Sequence, residues 1–183
     1  MRFLRILVGI DNSPLGSRVF AAAVGLAQSG NAAMKLLHCL TPAPVSELAT
    51  PMTVDTALAP GVISNADYQT QQILMERQIE EVQAILKHYQ DEALTYGVSA
   101  ESNYEVGEPG HQLCSAAREW GADLIVIGRR GKSGLTEALL GSVSNYVVHH
   151  APCSVLVIQD VELKGASETI ADEMAVTINP TPS

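Results

Sequence analysis

The sequence has few basic residues, since 11 lysines and arginines stand against 20 aspartates and glutamates, and the formal net charge is −9 at pH 7. Nucleic acids and anionic membranes both bind through basic surfaces. The charge therefore argues against either as a main partner, while a small anion in a local pocket remains compatible with it. Aromatic residues make up only 4% of the chain, which gives no sign of a base-stacking surface.

Cysteine is also scarce, and the three cysteines, Cys39, Cys114 and Cys153, are far apart in the sequence. An odd number without a Cys-x-x-Cys pair predicts a reducing compartment and neither a disulfide framework nor a zinc site. No apolar stretch approaches the roughly 20 residues of a membrane helix. The N-terminal segment has no small-residue cleavage site of a signal peptide. We therefore expect a cytoplasmic protein.

Short apolar runs rich in β-branched residues predict the strands of a sheet. Four of them are continuous, which is typical of parallel strands buried on both faces; they are Phe3–Ile10, Met34–Leu40, Leu124–Ile127 and Ser154–Ile158. A fifth run, Val98–Val106, alternates between apolar and polar residues. This alternation favours an edge strand.

Helical patterns lie between these runs. Asn12-Ser13-Pro14 predicts a capped helix through about Ala27. An apolar stripe from Met75 to Ala93 predicts a long amphipathic helix. Two further helices are predicted to open at Pro109-Gly110 and at Gly141-Ser142, the second ending near His150. The order β-α-β-α-β-α-β-α-β predicts an open α/β sheet with right-handed connections.

The 183 residues are long enough for one domain with a substantial core, and we place this domain at residues 1–158. Two segments break its alternation of strands and helices. Residues 41–64 contain four prolines and no basic residue, and they predict a mobile insertion loop, a candidate lid. Residues 159–183 form an acidic C-terminal tail with a small apolar patch at Met174–Ile178.

The stretch GRRGKSGLTEALLGSVSN, residues 128–145, contains Gly131-Lys132-Ser133, the end of a P-loop signature. The P-loop also needs a glycine at position 126, where this chain has Val126. The stretch nevertheless begins where a strand is predicted to end, and open α/β sheets bind ligands at that edge. Gly128 allows close approach of the backbone, and Gly131 permits a turn with positive φ.

Gly141-Ser142 stands at the predicted start of a helix, where free backbone N–H groups and the helix dipole attract an anion. The hydroxyl groups of Ser142 and Ser144 are candidate additional donors. Arg129 and Arg130 are candidates for local positive charge, whereas Lys132 is interpreted as a solvent-exposed loop residue. The stretch therefore predicts a phosphate site that is not a P-loop.

The spacing G-x2-G-x9-G-S resembles the ATP-binding motif of the universal stress protein family. Flanking segments resemble the family in the same order: ILVGIDNSPLGS, LLHCL, EVGEPGHQLCSAAREWGADLIVIGRRG and HAPCSVLVI. The resemblance covers about residues 2–40 and 75–158. It implies a Rossmann-like nucleotide-binding domain with a single five-stranded parallel sheet of order 3-2-1-4-5, helices on both faces, and binding of ATP with Mg²⁺.

The resemblance also implies roles for individual residues. Asp11 and the backbone of Ile10 would meet the ribose, phosphate or metal side of ATP, although Asp11 has an alternative role as a helix cap. Cys39 would hold adenine through its main chain. The residues implied to cradle ribose and phosphates are Gly128, Gly131, Gly141, Ser142, Val143 and Ser144.

The favoured function is a regulatory ATP-binding module that acts through nucleotide-dependent dimer or partner surfaces. Two alternatives stay open: an enzyme that slowly hydrolyses ATP, and an interaction protein without nucleotide. Binding is favoured over turnover because the chain lacks the SGG-x-DS loop and the H-x-G-H pair of related nucleotide enzymes, and no general base is evident. The exposed edge of strand 154–158 predicts a homodimer, unless Met174–Ile178 covers that edge.

Overall fold

The computed structural model describes residues 2–41, 65–129 and 140–159. The expectations for Arg130, Gly131 and Lys132, for the segment 42–64 and for the tail from residue 160 concern positions outside these ranges.

Five strands form one fully parallel sheet; they are β1 Arg5–Gly9, β2 Ala33–Leu40, β3 Ala100–Val106, β4 Leu124–Gly128 and β5 Ser154–Ile158. Their order in the sheet is β3-β2-β1-β4-β5, as the family resemblance implies. The chain runs outward from β1 to β3, then returns past β1 to form β4 and β5. The direction of winding therefore reverses between β1 and β4, where open α/β sheets have a crevice for ligands.

In the part of the chain that the structure describes, four helices cover the sheet on both faces; they are α1 Gly16–Gly30, α2 Asn65–Thr95, α3 Pro109–Trp120 and α4 Ser142–His150. Alternate residues of β1 enter separate cores. Ile6 and Val8 pack with residues of α1 and α2, while Leu7 packs with residues of α3 and α4. Apolar side chains are needed on both faces of such a strand, which explains the continuous apolar runs of the sequence.

The two edges of the sheet differ in character. On β3, exposed and half-buried residues alternate at the start of the strand, and Glu101, Asn103 and Glu105 make it polar. This confirms the expected edge strand, and charged residues of this kind discourage pairing with another chain. On β5 all five residues are half-buried, and four of them are apolar. Of the two edge strands, only β5 therefore has the apolar composition of a strand that pairs with or packs against another segment.

The predicted start of α1 is wrong. The N-cap is Leu15, without a side-chain cap hydrogen bond, so Pro14 precedes the helix instead of opening it. The Asp11 carboxylate accepts hydrogen bonds from the backbone N–H of Ser13 at 3.3 Å and from its hydroxyl at 2.6 Å. Asp11 thus stabilises the turn after β1, and its alternative role as the cap of α1 is excluded. The helix ends at Gly30, beyond the predicted Ala27.

All three cysteines are free thiols. Burial raises the pKa of the Cys114 thiol, and burial with the nearby Asp123 raises that of Cys153. Both behave as small apolar residues in the core beneath α3 and α4. None of the helices within the described ranges combines the length and apolar character that a membrane crossing requires.

Candidate functional site

The carboxyl ends of β1, β2 and β4 meet at one edge of the sheet, and most of the sequence-predicted residues lie there. Ile10 and Asp11 follow β1, and Arg129 follows β4. Ile10 is buried and donates its N–H to the Leu37 carbonyl at 2.9 Å. Asp11 is only half-buried. The carboxyl end of β1 therefore carries a backbone that is fixed to β2 and a half-buried carboxylate.

The carbonyl of Arg129 joins the end of β4 to the start of α4. It accepts hydrogen bonds from the N–H of Gly141 at 2.9 Å and from the hydroxyl of Ser144 at 3.0 Å. The Ser144 hydroxyl also lies 3.1 Å from the Gly141 carbonyl. Arg129 and the first turn of α4 are thereby held together at the carboxyl end of β4.

The first turn of α4 presents backbone donors at this edge. Gly141 is the N-cap with φ −60° and ψ 161°, and no side chain caps the helix. The N–H of Asn145 donates to the Gly141 carbonyl at 2.9 Å. The three preceding N–H groups, those of Ser142, Val143 and Ser144, come before the first possible intrahelical acceptor. With the positive end of the helix dipole, they form the geometry of an anion site.

Ser144 differs from its expected role as a hydroxyl donor to a ligand. Its side chain is 1% exposed, and its hydroxyl points at the carbonyls of Arg129 and Gly141. A hydroxyl has one proton to donate, and two backbone carbonyl oxygens lie within hydrogen-bond distance of it here. The Ser144 side chain therefore anchors α4, which leaves only its backbone N–H for the candidate anion site. Ser142 is exposed and keeps its hydroxyl at the surface.

Gly128 ends β4, but the structure gives its missing side chain a reason other than ligand approach. A Cβ on Gly128 would lie 3.0 Å from Cδ2 of Leu15 and 3.5 Å from Cγ2 of Val19. Both residues belong to the start of α1. The glycine therefore lets the start of α1 pack closely over the end of β4, which places the turn after β1 beside that strand end.

Arg129 continues the pairing of β4 with β5. Its N–H donates to the Ile158 carbonyl at 2.7 Å, and its Nη1 donates to Oε1 of Gln159 at 2.6 Å. The guanidinium is thus located at the same sheet edge as the first turn of α4. Sequence reasoning missed Gln159, because only the pairing register of β4 and β5 places it beside Arg129.

Cys39 lies near the end of β2, where that strand extends past β1. The pairing of β1 and β2 ends at Gly9 and Leu37, whereas the pairing of β2 and β3 continues to Leu40 and Val106. The Leu37 carbonyl points toward β1. Because residues two apart in a strand direct their backbone groups to the same side, the N–H and C=O of Cys39 point to that side as well, beyond the end of β1.

The Cys39 side chain, unlike these backbone groups, packs against the core beneath α3 and α4. Burial, reinforced by the negative charge of Glu105, raises the pKa of its thiol to about 12. The Sγ atom lies 3.9 Å from the Pro109 carbonyl. A thiolate is the reactive form of cysteine, so this thiol is inert at neutral pH. Only the main chain of Cys39 is available for recognition.

Asp11 is the acidic residue that fits a metal ion accompanying a ligand. One carboxylate oxygen accepts the two Ser13 hydrogen bonds, which fixes the orientation of the carboxylate. Magnesium in nucleotide sites takes one or two protein carboxylates, with phosphates and waters completing the octahedron. Within the described ranges, no group of three His, Cys, Asp or Glu residues is arranged to hold a metal alone. The residues therefore fit a metal that arrives with phosphate.

The sequence profile of the Universal stress protein family matches residues 2–159. The chain is 36% identical over 166 residues to a universal stress protein of Synechocystis, which covers 87% of this chain and 99% of the relative. It is 34% identical over 157 residues to a universal stress protein of Bacillus subtilis, which covers 86% of this chain and 99% of the relative. The chain belongs to the universal stress protein family.

Solved structures of the family share the fold. The universal stress protein UspA of Lactobacillus plantarum superposes with a TM-score of 0.69 at 25% identity, covering 86% of this chain and 99% of its own. An Archaeoglobus fulgidus universal stress protein solved in complex with dAMP gives 0.56 at 23%, with coverages of 86% and 99%. A universal stress protein solved in complex with cAMP gives 0.60 at 24%, with coverages of 87% and 98%.

Proposed function

We propose that this universal stress protein binds ATP at the carboxyl edge of its sheet and acts as a regulatory module. The observation that carries the proposal is the uncapped first turn of α4, which is fixed to β4 through the Arg129 carbonyl. Its backbone donors are positioned before any ligand arrives, so little ordering cost opposes the binding of a phosphate group. The acidic chain thus attracts an anion locally, through backbone dipoles.

The adenine and ribose groups occupy the neighbouring part of the edge in this proposal. The Cys39 main chain, which extends past β1, offers one donor and one acceptor side by side. An adenine base presents a complementary acceptor and donor on its own edge. The Ile10 backbone and the Asp11 carboxylate, at the end of β1, then face the ribose and the metal side of the nucleotide.

The phosphates lie along the G-x2-G-x9-G-S motif. The proposed contacts in the described ranges come from the residues after β4 and from the first turn of α4: Gly128, Arg129, Gly141, Ser142, Val143 and the Ser144 backbone. Gly131 completes the motif from outside those ranges. Mg²⁺, held by Asp11 and the phosphates, would neutralise part of the phosphate charge. No catalytic residue is assigned, because the proposal is one of binding.

Two observations on other proteins support a nucleotide ligand. The two proteins solved in complex with dAMP and with cAMP are universal stress proteins, and they superpose on this chain with TM-scores of 0.56 and 0.60. Both ligands combine adenine, a sugar and a phosphate. The fold therefore accommodates the three chemical groups for which this chain has a main-chain donor and acceptor pair, a carboxylate and an uncapped helix N-terminus.

We further propose that the protein acts as a homodimer through the outer edge of β5. The Ile158 carbonyl accepts from β4, so the backbone groups of Val155 and Val157 point to the opposite, outer side of the strand. An unpaired apolar edge is a template for a second strand. Two copies related by a two-fold axis would each supply the same strand, which closes the assembly. The side chains of Val155 and Val157 pack mainly into the core beneath α3 and α4.

Identification of the bound molecule tests the proposed ligand. The purified protein is denatured, the released small molecules are separated by mass spectrometry, and ATP binding to the ligand-free protein is measured by calorimetry. The expected result is an adenine nucleotide in the released fraction and a saturable ATP isotherm. Absence of both, with a folded protein, would exclude the proposed function and favour an interaction protein without nucleotide.

A further inference from the structure

The side chains of Arg129 and Gln159 form the last cross-strand pair of β4 and β5. The register of the two strands pairs Gly128 with Ile158, so the next residue of each strand stands opposite the other. The Nη1 group of Arg129 donates to Oε1 of Gln159 at 2.6 Å, and the Arg129 N–H donates to the Ile158 carbonyl at 2.7 Å. Side chain and backbone of Arg129 are thus both held by the end of β5.

This pair lies on the face of the sheet that carries α4. Ile127 and Val157, two residues before Arg129 and Gln159, pack into the core beneath α3 and α4. Since side chains two apart in a strand share a face, the pair continues on that same face. The carbonyl of Arg129 is the acceptor that anchors the first turn of α4. Arg129 therefore carries the guanidinium and, through its carbonyl, also anchors the helix turn that forms the proposed anion site.

We propose that Gln159 is a positioning residue that holds the Arg129 guanidinium at the phosphate end of the nucleotide site. The inference rests on the proposed function and adds a residue that lies outside the motif. A glutamine suits this role because its amide oxygen orients a guanidinium without neutralising it. A carboxylate would orient it equally well but would cancel the charge that phosphate needs. Holding a long side chain in place also reduces the entropy lost when it meets a ligand.

The test compares ATP with adenosine, which lacks the phosphates. Three variants are prepared: Gln159→Ala, Gln159→Glu and, as a matched control, Gln28→Ala. Gln28 makes one side-chain hydrogen bond as well, by donating to the Tyr96 carbonyl at 2.7 Å. It lies in the last turn of α1, near the amino ends of the strands. ATP affinity is measured by calorimetry, and adenosine affinity by nuclear magnetic resonance titration. Gln159 is exposed, so both of its variants are expected to fold, which thermal unfolding verifies.

The expected result is a loss confined to the phosphate-bearing ligand. Gln159→Ala should weaken ATP binding about three- to tenfold, the range for loss of part of a charge-assisted hydrogen bond, and leave adenosine binding unchanged. Gln159→Glu should weaken ATP binding at least as much, and Gln28→Ala should match the wild type.

Three results would overturn the inference while leaving the proposed function intact, provided that the wild type binds ATP. They are unchanged ATP affinity in Gln159→Ala, equal losses for ATP and adenosine, and wild-type ATP affinity in Gln159→Glu. A wild type that binds neither ligand would overturn the proposed function together with this inference.

Discussion

The hydroxyl oxygen of Ser144 lies 3.0 Å from the carbonyl oxygen of Arg129, across 15 positions of the chain. This contact fixes the N-terminus of α4 against the end of β4. The proposed anion site consists of the backbone N–H groups of that same turn. Its position would therefore depend on a residue whose hydroxyl is bonded to the backbone. Ser144, which lies two residues after the G-x2-G-x9-G-S motif, thus has a structural role in anchoring α4.

Replacement of Ser144 with alanine should lower the free energy of unfolding by about 1 kcal/mol, since one buried hydrogen bond is lost and two backbone carbonyls lose a donor. Urea denaturation measures this. Ser142→Ala is the matched control, because Ser142 is exposed in the same turn, and its effect should stay within about 0.5 kcal/mol. Equal effects of the two substitutions would show that Ser144 is not an anchor.

The packing of α3 on α4 depends on Gly110. A Cβ at this position would lie 2.8 Å from Cδ1 and 2.9 Å from Cβ of Tyr146, whose ring stacks on His150. Gly110→Ala should therefore lower the free energy of unfolding by about 1–3 kcal/mol, as overpacking does. Gly25→Ala is the control, because nothing lies within 4 Å of a Cβ added there. Alanine is the better helix former, so this substitution should raise the free energy of unfolding by at most about 1 kcal/mol. Stabilisation by both substitutions would contradict the close α3–α4 contact.

The buried thiol of Cys39 predicts how stability responds to alkaline pH. Its pKa is raised from 9.0 to about 12 in the folded protein, so the unfolded chain releases the thiol proton first. The contribution of this thiol to stability is complete below pH 9 and is lost as the pH rises toward 12. Unfolding free energies measured across this range should fall less steeply in Cys39→Ala than in the wild type. Identical pH dependences of the two unfolding free energies would show that the thiol is exposed to solvent in the folded protein.

The proposed dimer predicts the effect of a proline on β5. Val157 directs its N–H to the outer side of the strand, so Val157→Pro removes a donor for a second chain without removing a hydrogen bond to β4. Sedimentation should show a dimer for the wild type and a monomer for the variant. A wild-type monomer at micromolar concentration would rule out the dimer. The variant's circular dichroism spectrum should match that of the wild type.

The tail complicates this test, because the apolar patch Met174–Ile178 was an alternative cover for the same edge. A chain that ends at Asp160 separates the two possibilities. If β5 itself holds the dimer, the shortened chain stays dimeric. If the tail covers β5 in a monomer, its removal should instead raise the association state.

The sequence predicted the sheet well because burial on both faces leaves a strong signal. Each continuous apolar run matches a strand to within two residues at either end, and the last one, Ser154–Ile158, has the predicted bounds. The predicted start of β3 at Val98 is two residues early, since the strand begins at Ala100. Val98 is buried, but its N–H donates to the Ala93 carbonyl at 3.0 Å. It therefore belongs to the turn at the end of α2. An apolar pattern does not distinguish a residue buried in a strand from one buried in a turn.

The connection after β1 was less predictable because local hydrogen bonds compete there. Asn12, Ser13 and Pro14 have the composition of a helix start, but Ser13 is bonded to the Asp11 carboxylate. Asp and Ser side chains form such turns as readily as caps. A Cβ on Gly16 would also lie 2.7 Å from the Asp11 carbonyl oxygen. This tertiary contact has no signature in the sequence.

The sequence predicted the part of the candidate site that depends on the backbone of a helix start. It did not predict the side-chain contacts that depend on the register of the strands. The glycine and serine spacing located the first turn of α4, because a helix start has a recognisable composition. The inward orientation of Ser144 and the contact of Arg129 with Gln159 follow from how β4, β5 and α4 align. That alignment is a property of the folded sheet.

The most direct measurement of the central claim is calorimetric titration of ATP into Gly141→Asp. Gly141 has φ −60° and ψ 161°, a conformation open to any residue, and aspartate is among the best N-cap residues. The variant should therefore unfold at the same temperature as the wild type or higher. Its carboxylate, however, occupies the donors that phosphate needs and repels the ligand.

The neutral variant Gly141→Asn controls for the cap without the charge. We predict no detectable ATP binding by Gly141→Asp, weakened binding by Gly141→Asn, and saturable binding by the wild type. A stable, folded Gly141→Asp that binds ATP with wild-type affinity would contradict the assignment of the phosphate site to the first turn of α4.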